Sequence, residues 1–495
     1  MSISGIGSRS SLGVQALVDM RAQLDDLQRQ LGTGKKADTY AGIGIDRGFA
    51  VGLRSQVSAL GAYDDTISTV GVRLNLAQTT LGRLSDIAHS VKSDALSTPS
   101  VQSNGSTLAQ SSAYSELGEI LGLLNTQAGD RYLFSGRASN QPAVETFDHI
   151  MNGDGTRAGF NQIVSERKQA DLGANGLGRL NVTNAPLSTS VQLVEDAGPF
   201  GFKIGSVNST LTGATVTGPS GAPAALSINL GATNPNGGET VQFRFNLPDG
   251  TSENLTLTAT TSTTPGPGEF TIGATSDVTA GNLAAALSTS LSELADTSLT
   301  AASAVAAGND FFGNPPQRVS GAPLTSATGL VAGTAANTVM WYTGEDGPDP
   351  ARGTATARVD SSISVSYGLR ANEQGIRWIV QNMATLAAVT FPPTNPNSTA
   401  RAAALNQRIG VNLDVPAGTQ KVEDIEAEIA GAQTTLKTAS DRHQQTKSAL
   451  SDLLDQIEGV PSEQVASQIL ALQTRLQASL QTTSLLYKTS LVNYI

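Results

Sequence analysis

Towards the C-terminal end, apolar positions recur at alternating spacings of three and four. They run through Val422, Ile425, Ile429, Ala432, Leu436, Ala439, His443, Thr446, Leu450, Leu453, Ile457 and Val460. This is a heptad seam, the pattern of a helix that buries one narrow stripe against a partner helix. At 1.5 Å per residue such a helix is roughly 60 Å long. Gly459, Pro461 and Ser462 then interrupt it, because proline removes a ladder donor and glycine loosens the turn. A second amphipathic stretch follows through Val465, Ile469, Leu472, Leu476, Leu480, Tyr487 and Leu491, and Leu491-Val492-Asn493-Tyr494-Ile495 stays apolar. Free ends are normally polar and frayed, so this one is expected to be covered by another surface.

The other end carries the same pattern. Leu17, Met20, Leu24, Leu27 and Leu31 alternate by three and four, and Gly32-Thr33-Gly34-Lys35-Lys36 closes the helix. After a glycine-containing loop to about Asp46, a long seam runs through Leu60, Tyr63, Ile67, Val70, Leu74, Ala77, Leu81, Leu84, Ala88, Val91 and Ala95, and Thr98-Pro99 stops it. Gly61, Gly71 and Gly82 lie inside this helix. Each weakens it by roughly 1 kcal/mol relative to alanine, so packing must hold it. A further helix passes through Leu108, Leu117, Leu121, Leu124 and Ala128.

The period then changes. Asn152-Gly153-Asp154-Gly155 predicts a tight turn between extended segments. From about Val191 to Ser366 the chain is rich in Thr, Ser, Gly and Ala, with alternating runs such as Val241-Gln242-Phe243-Arg244-Phe245 and Leu255-Thr256-Leu257. These predict strands of a half-buried antiparallel sheet. Within that region Asn282 to Leu294 predicts a helix and Leu299 to Val305 a strand. Helical periodicity returns at Ile376, Ile379, Val380, Met383 and Leu386, breaks at Pro392-Pro393 and resumes over Ala400 to Ile409. The order helix, sheet, helix predicts an α+β multidomain protein. Its two ends pair as a long antiparallel helical coiled-coil stalk, and a β-rich domain is inserted between them. Insertions of that kind need entry and exit side by side.

Composition narrows the function. Among 495 residues only 15% are charged and the net charge is −11, which lacks the basic stripe that nucleic acid requires. No run of eighteen apolar residues exists, so no spanning helix and no membrane partner are expected. Met1-Ser2-Ile3-Ser4-Gly5 has neither a basic segment nor an apolar core, so a cleaved leader is not expected. There is no cysteine, which excludes disulfides and thiolate chemistry.

Candidate chemistry is sparse. His89, His149 and His443 lie in separate segments with no i,i+4 partner, unlike a metal site. Glu345-Asp346-Gly347-Pro348-Asp349-Pro350 lacks the spacing and distal glutamate of a calcium loop and reads as a solvated turn. His443 and Thr446 break the seam at consecutive core positions. They are taken as a polar pair that sets helix register, a pH-sensitive switch being the alternative. No nucleophile elbow, phosphate loop or dinucleotide fingerprint appears in a fitting context. No catalytic, cofactor or metal residues are expected, and a glycan-binding or hydrolytic middle region finds no carboxylate pair or aromatic platform to support it.

Several short stretches, in this order, resemble the bacterial flagellins and their relatives at the hook–filament junction. Leu27-Gln28-Arg29-Gln30-Leu31-Gly32-Thr33-Gly34-Lys35-Lys36 is similar to the segment that closes the family's first helix, and Leu76-Ala77-Gln78-Thr79-Thr80-Leu81-Gly82-Arg83-Leu84 to its second-helix motif. Arg131-Tyr132-Leu133-Phe134-Ser135-Gly136, Asn152-Gly153-Asp154-Gly155-Thr156-Arg157 and the C-terminal Leu491-Val492-Asn493-Tyr494-Ile495 resemble the hook-associated branch. The resemblance covers about residues 1–185 and 370–495.

It implies an extracellular structural protein of the flagellum, exported without a cleaved signal through the type III apparatus. The implied role is a junction between hook and filament; the alternative is flagellin, the bulk filament subunit, whose length this chain matches. Implied partners are further copies of itself in a helical ring or tube, other hook-associated and flagellin subunits, and an export chaperone at the C-terminal helix. On this reading residues 1–40 and 462–495 line the tube, 41–135 and 371–461 form the stalk, and 136–370 form the outer β-rich domain. Leu17, Met20, Leu24, Leu27, Leu31, Leu472, Leu476, Leu480, Tyr487 and Leu491 are the candidates for subunit packing, left exposed in a monomer. Ile425, Ile429, Leu436, Leu450, Leu453 and Ile457 are the stalk seam.

Overall fold

The heptad stretches become long helices, and the alternating stretch becomes sheet. The computed structural model describes residues 4–492, with side chains described over 12–485 and at 488. In chain order the first elements are α1 (Ser4–Thr33), a single turn α2 (Tyr40–Ile43), α3 (Arg47–Leu96) and α4 (Leu108–Leu124). A two-residue pair, β1 (Gln127–Ala128) and β2 (Arg131–Tyr132), leads to α5 (Phe147–Asn152) and α6 (Phe160–Leu172). The strands β3 (Leu180–Thr183), β4 (Ser190–Glu195), β5 (Lys203–Ser209), β6 (Thr215–Ser220), β7 (Ala225–Asn229), β8 (Thr240–Asn246), β9 (Ser252–Thr260) and β10 (Glu269–Thr271) follow. Then come α7 (Ser276–Leu294), α8 (Thr300–Phe311), β11 (Gln317–Ser320), β12 (Gly329–Ala332), β13 (Thr356–Arg358) and β14 (Ser364–Ser366). The chain closes with α9 (Gln374–Ala388), α10 (Ser398–Asn412), α11 (Val422–Glu458) and α12 (Ser462–Val492). The protein is α+β and multidomain. Its described residues form two units, one of residues 4–71, 357–365 and 433–492, the other of 72–356 and 366–432.

In the larger unit two four-stranded sheets, ordered β3-β4-β7-β6 and β10-β9-β8-β5, share a core with α7. Along β8 the side chains of Val241, Phe243 and Phe245 point into this core while Gln242 and Arg244 face solvent, the period of two expected for a strand buried on one face. Phe202, Phe243, Phe245 and Phe270 fill the centre with Leu283, Leu287 and Leu291 of α7. All pairings in the two sheets are antiparallel except β9 with β10, which is parallel.

The chain enters and leaves this region side by side. Ser135 and Arg370 form an antiparallel bridge, Gly136 N–H donates to the Leu369 carbonyl at 3.0 Å, and Ala371 N–H donates to that of Phe134 at 2.8 Å. Phe134, within the Tyr-Leu-Phe stretch, is fully buried.

Two local expectations are corrected. Leu299 to Val305 is not a strand: a π-helical turn, Ala295–Leu299, runs into α8. Ala301 to Gly308 are buried on every side, and a helix apolar all round carries no 3.6-residue period to read. The Asn152-Gly153 turn joins two helices rather than two strands. Gly153 ends α5 with φ +78, and its N–H donates to the His149 carbonyl at 2.9 Å. A Cβ there would stand 2.3 Å from the Arg157 carbonyl oxygen. Asn-Gly reports a left-handed backbone, which helix ends and hairpins both use.

Candidate functional site

The terminal helices carry the candidate surface. α1 and α12 pack on one another. They are tied together where each begins or ends: Lys35 and Gly459 form an antiparallel bridge, Lys36 N–H donates to the Glu458 carbonyl at 2.7 Å, and Val460 N–H donates to that of Gly34 at 3.0 Å. The Gly-Lys-Lys segment supplies both halves of this tie. Gly34 takes φ +67, which ends α1. The Lys36 ammonium reaches the Ile457 carbonyl at 2.7 Å, an exposed helix-end acceptor matched by a cation. On α3 the Arg54 guanidinium forks onto Glu458, with Nε 3.0 Å from Oε1. That hydrogen bond pushes the Arg54 pKa up, because a neighbouring carboxylate favours the charged guanidinium.

Along the pair the apolar stripe is partly covered. Leu17, Met20, Leu24 and Leu27 of α1 are half-buried, and Leu31 is exposed. On α12, Val465, Ile469 and Leu472 are buried, Leu476 is half-buried and Leu480 is 51% exposed. The expectation that Leu472 and Leu476 are bare in a monomer is therefore corrected: a partner in the same chain covers them first, because tethering raises its effective concentration. The inward positions past Leu476 are Ser479 and Thr483, so Leu480 sits off the seam. The side chains of Tyr487 and Leu491, and residues 493–495, lie outside the described residues.

The pair leaves other apolar groups in water. Val14 and Val18, one turn apart, are 51% and 56% exposed, and Leu12, Leu470 and Leu485 are also exposed. Ile45 and Phe49, just before and at the start of α3, are exposed as well. Two helices can cover only the stripe each turns to the other, which leaves these apolar groups exposed.

The α11 seam divides in two. Ile425, Ile429, Leu436, Ala439 and His443 are buried, Leu450 and Ile457 are half-buried, and Leu453 is exposed. Thr446 is corrected from a core position to an exposed one: its hydroxyl donates back to the Arg442 carbonyl at 2.9 Å. Of the two, only His443 is a polar core residue. Asp64 of α3 and Asp360 of the 357–365 segment flank it, neither of which the seam pattern could indicate.

The acidic segment after Tyr342 is also more than a solvated turn. Glu345 meets Arg137 at 3.0 Å and Arg370 at 2.9 Å, and Asp349 meets Arg137 at 2.6 Å. Arg137 lies about two hundred residues before both carboxylates, so no short sequence window contains the group. Among the described residues no cluster of three or more His, Asp or Glu side chains is arranged to hold a metal ion. No described helix is long and apolar enough to cross a membrane.

Comparison with known proteins gives one family. Residues 13–139 match the model of the bacterial flagellin N-terminal helical region. The matched span holds most of α1, all of α3 and α4, and the Tyr-Leu-Phe stretch. This match supports the flagellin family and, with it, a structural protein of the flagellum. No curated protein matches the chain significantly.

Proposed function

We propose that this chain is a structural subunit of the bacterial flagellum that polymerises through its terminal helices, and that its place is the junction between hook and filament. The observation that carries the reading is the exposed apolar surface of the α1–α12 pair on a chain whose residues 13–139 match the flagellin helical region. Burying that surface between copies contributes roughly 25 cal/mol per Å² of apolar area before the ordering cost is subtracted. Residues 136–370 then face the medium. The junction assignment, of the hook-associated protein 3 type, rests on the resemblance of Arg131 to Gly136, of Asn152 to Arg157 and of the last five residues.

Bulk flagellin is the second reading, favoured by the chain length of 495 residues. Deletion separates the two. Loss of a junction protein leaves hooks in place and releases flagellin into the medium, whereas loss of a sole flagellin leaves nothing to release. Hookless cells, or cells with normal filaments, would overturn both.

Residues 462–495 are proposed to act twice, as the site of an export chaperone inside the cell and as packing surface outside it. An amphipathic helix of this kind suits a groove. Replacing both Leu476 and Leu480 by Asp should remove secretion and assembly while the sheet unit stays folded; normal secretion of the double variant would remove the assignment.

A further inference from the structure

Where α11 passes α3, the seam holds a histidine instead of an aliphatic side chain. His443 is 1% exposed, and its two ring nitrogens face two different carboxylates. Nδ1 lies 3.0 Å from Asp64 Oδ1 of α3, and Nε2 lies 3.4 Å from Asp360 Oδ2 in the turn of the 357–365 segment. The Tyr63 ring packs beside the imidazole with centroids 5.9 Å apart. Asp360 has further partners: the Ser361 hydroxyl at 2.9 Å, the Ser361 N–H and the Arg442 guanidinium. Arg358 closes the same turn by donating to the carbonyls of Asp360 and Ser361. His443 is the hydrogen-bond partner of the Asp64 carboxylate.

Ionised carboxylates only accept hydrogen bonds, and a neutral imidazole has a single N–H to give. A neutral ring would satisfy one carboxylate and turn a lone pair towards the other. The imidazolium satisfies both. It also balances the charge of the group, where Asp64 and Asp360 stand against Arg442 and the ring. A metal cannot replace the proton, because the carboxylates lie at opposite nitrogens and no ion could reach all three groups.

We propose that His443 is a proton-dependent clasp, an imidazolium that ties the 357–365 segment to α3 and α11 and lets the segment go when the ring loses its proton. The direction follows from the partners. Asp64 makes the shorter contact, so the remaining N–H of a neutral ring stays with Asp64. Asp360 is then held by Arg442, whose side chain is half exposed, and by its own turn. The clasp is closed while the ring carries both protons and opens when it is neutral.

The chain has three histidines, so ring signals of the full-length monomer can be assigned with one substitution. Long-range nitrogen–proton spectra between about pH 6 and about pH 9 report the ring state. Amide exchange of residues 357–365, normalised to strand β8, reports the segment. The expected result is a doubly protonated ring at the lower pH, with protection of 357–365 falling roughly tenfold as the ring turns neutral, the loss of one hydrogen bond to a charged group. In His443→Gln the segment should be equally open at both pH values. If that variant does not fold, Asp360→Asn should remove the dependence of 357–365 on the ring state. A neutral ring at the lower pH, or protection that ignores the ring state, overturns the proposal.

Discussion

The two four-stranded sheets and the α1–α12 pair are built from similar apolar residues, yet they finish differently. In the sheet unit Phe243, Phe245 and Leu257 are completely enclosed, because two sheets and α7 surround them on all sides. In the terminal pair Leu17 and Leu24 are only half-buried, and Val14 and Val18 stand in water. The difference is one of layers. Three layers enclose a core, while two helices share a single seam and leave their remaining faces bare. One region encloses its apolar side chains within a single chain, and the other leaves several of its own exposed.

The comparison breaks most easily in the sheets. Phe243→Ala should cost about 3–5 kcal/mol in denaturant unfolding of the sheet unit. Leu480→Ala, at an exposed position, should change stability by no more than about 0.5 kcal/mol. Equal effects would mean that the terminal helices are as enclosed as the sheets.

Assembly supplies the next test. The double variant Val14→Asp and Val18→Asp removes two exposed apolar groups, each able to contribute about 1.5–3 kcal/mol when buried. Polymerisation seeded on filament fragments should fail, with monomer stability unchanged within about 0.5 kcal/mol. Normal polymerisation would move the contact to another face.

A smaller gain is expected inside α3. A Cβ at Gly61 or Gly71 meets nothing within 4 Å, so no close approach in the single chain requires glycine there. Gly61→Ala and Gly71→Ala should each stabilise the helix by about 1 kcal/mol, measured as a rise in the unfolding midpoint. Destabilisation of the monomer by either would show that the helix needs those glycines for its own packing.

The least effect concerns acid. The Ser361 hydroxyl first, then the Ser361 N–H, Arg442 and His443, hold the Asp360 carboxyl down to about 2, below the usual aspartate value of about 3.9. A depressed folded-state value stabilises the ionised form. Its contribution is complete above about pH 4 and is lost as pH falls through about 2. Asp360→Asn should flatten that part of the acid unfolding curve; an unchanged curve would show that the carboxylate contributes nothing there.

Much of the fold was legible because its signals are local and periodic. The seam from Leu60 to Ala95 gave α3, the seam from Val422 gave α11, and the alternation from Val241 to Phe245 gave β8 with the correct inward face. Signals failed where periodicity is absent or shared. The all-buried run in α8 has no polar face to mark its period, and the Asn-Gly turn serves helix ends as well as hairpins. In the candidate surface, the half-buried stripe of α1 was visible as spacing, while the separation of Leu480 from the inward positions Ser479 and Thr483 was not. A helix can rotate by a fraction of a turn without changing its sequence pattern.

By itself, then, the amino-acid order determined most of the helical and extended segments, and that both ends carry apolar seams. Local propensity and periodic burial are properties of a few neighbouring residues, so they survive without knowledge of the fold. The tertiary structure decided which apolar groups one chain covers and which it leaves bare, and it alone brought Asp64 and Asp360 to the two sides of His443. Coverage and charge pairing depend on distance in space, and residues 379 and 83 positions apart in the chain are neighbours only after folding.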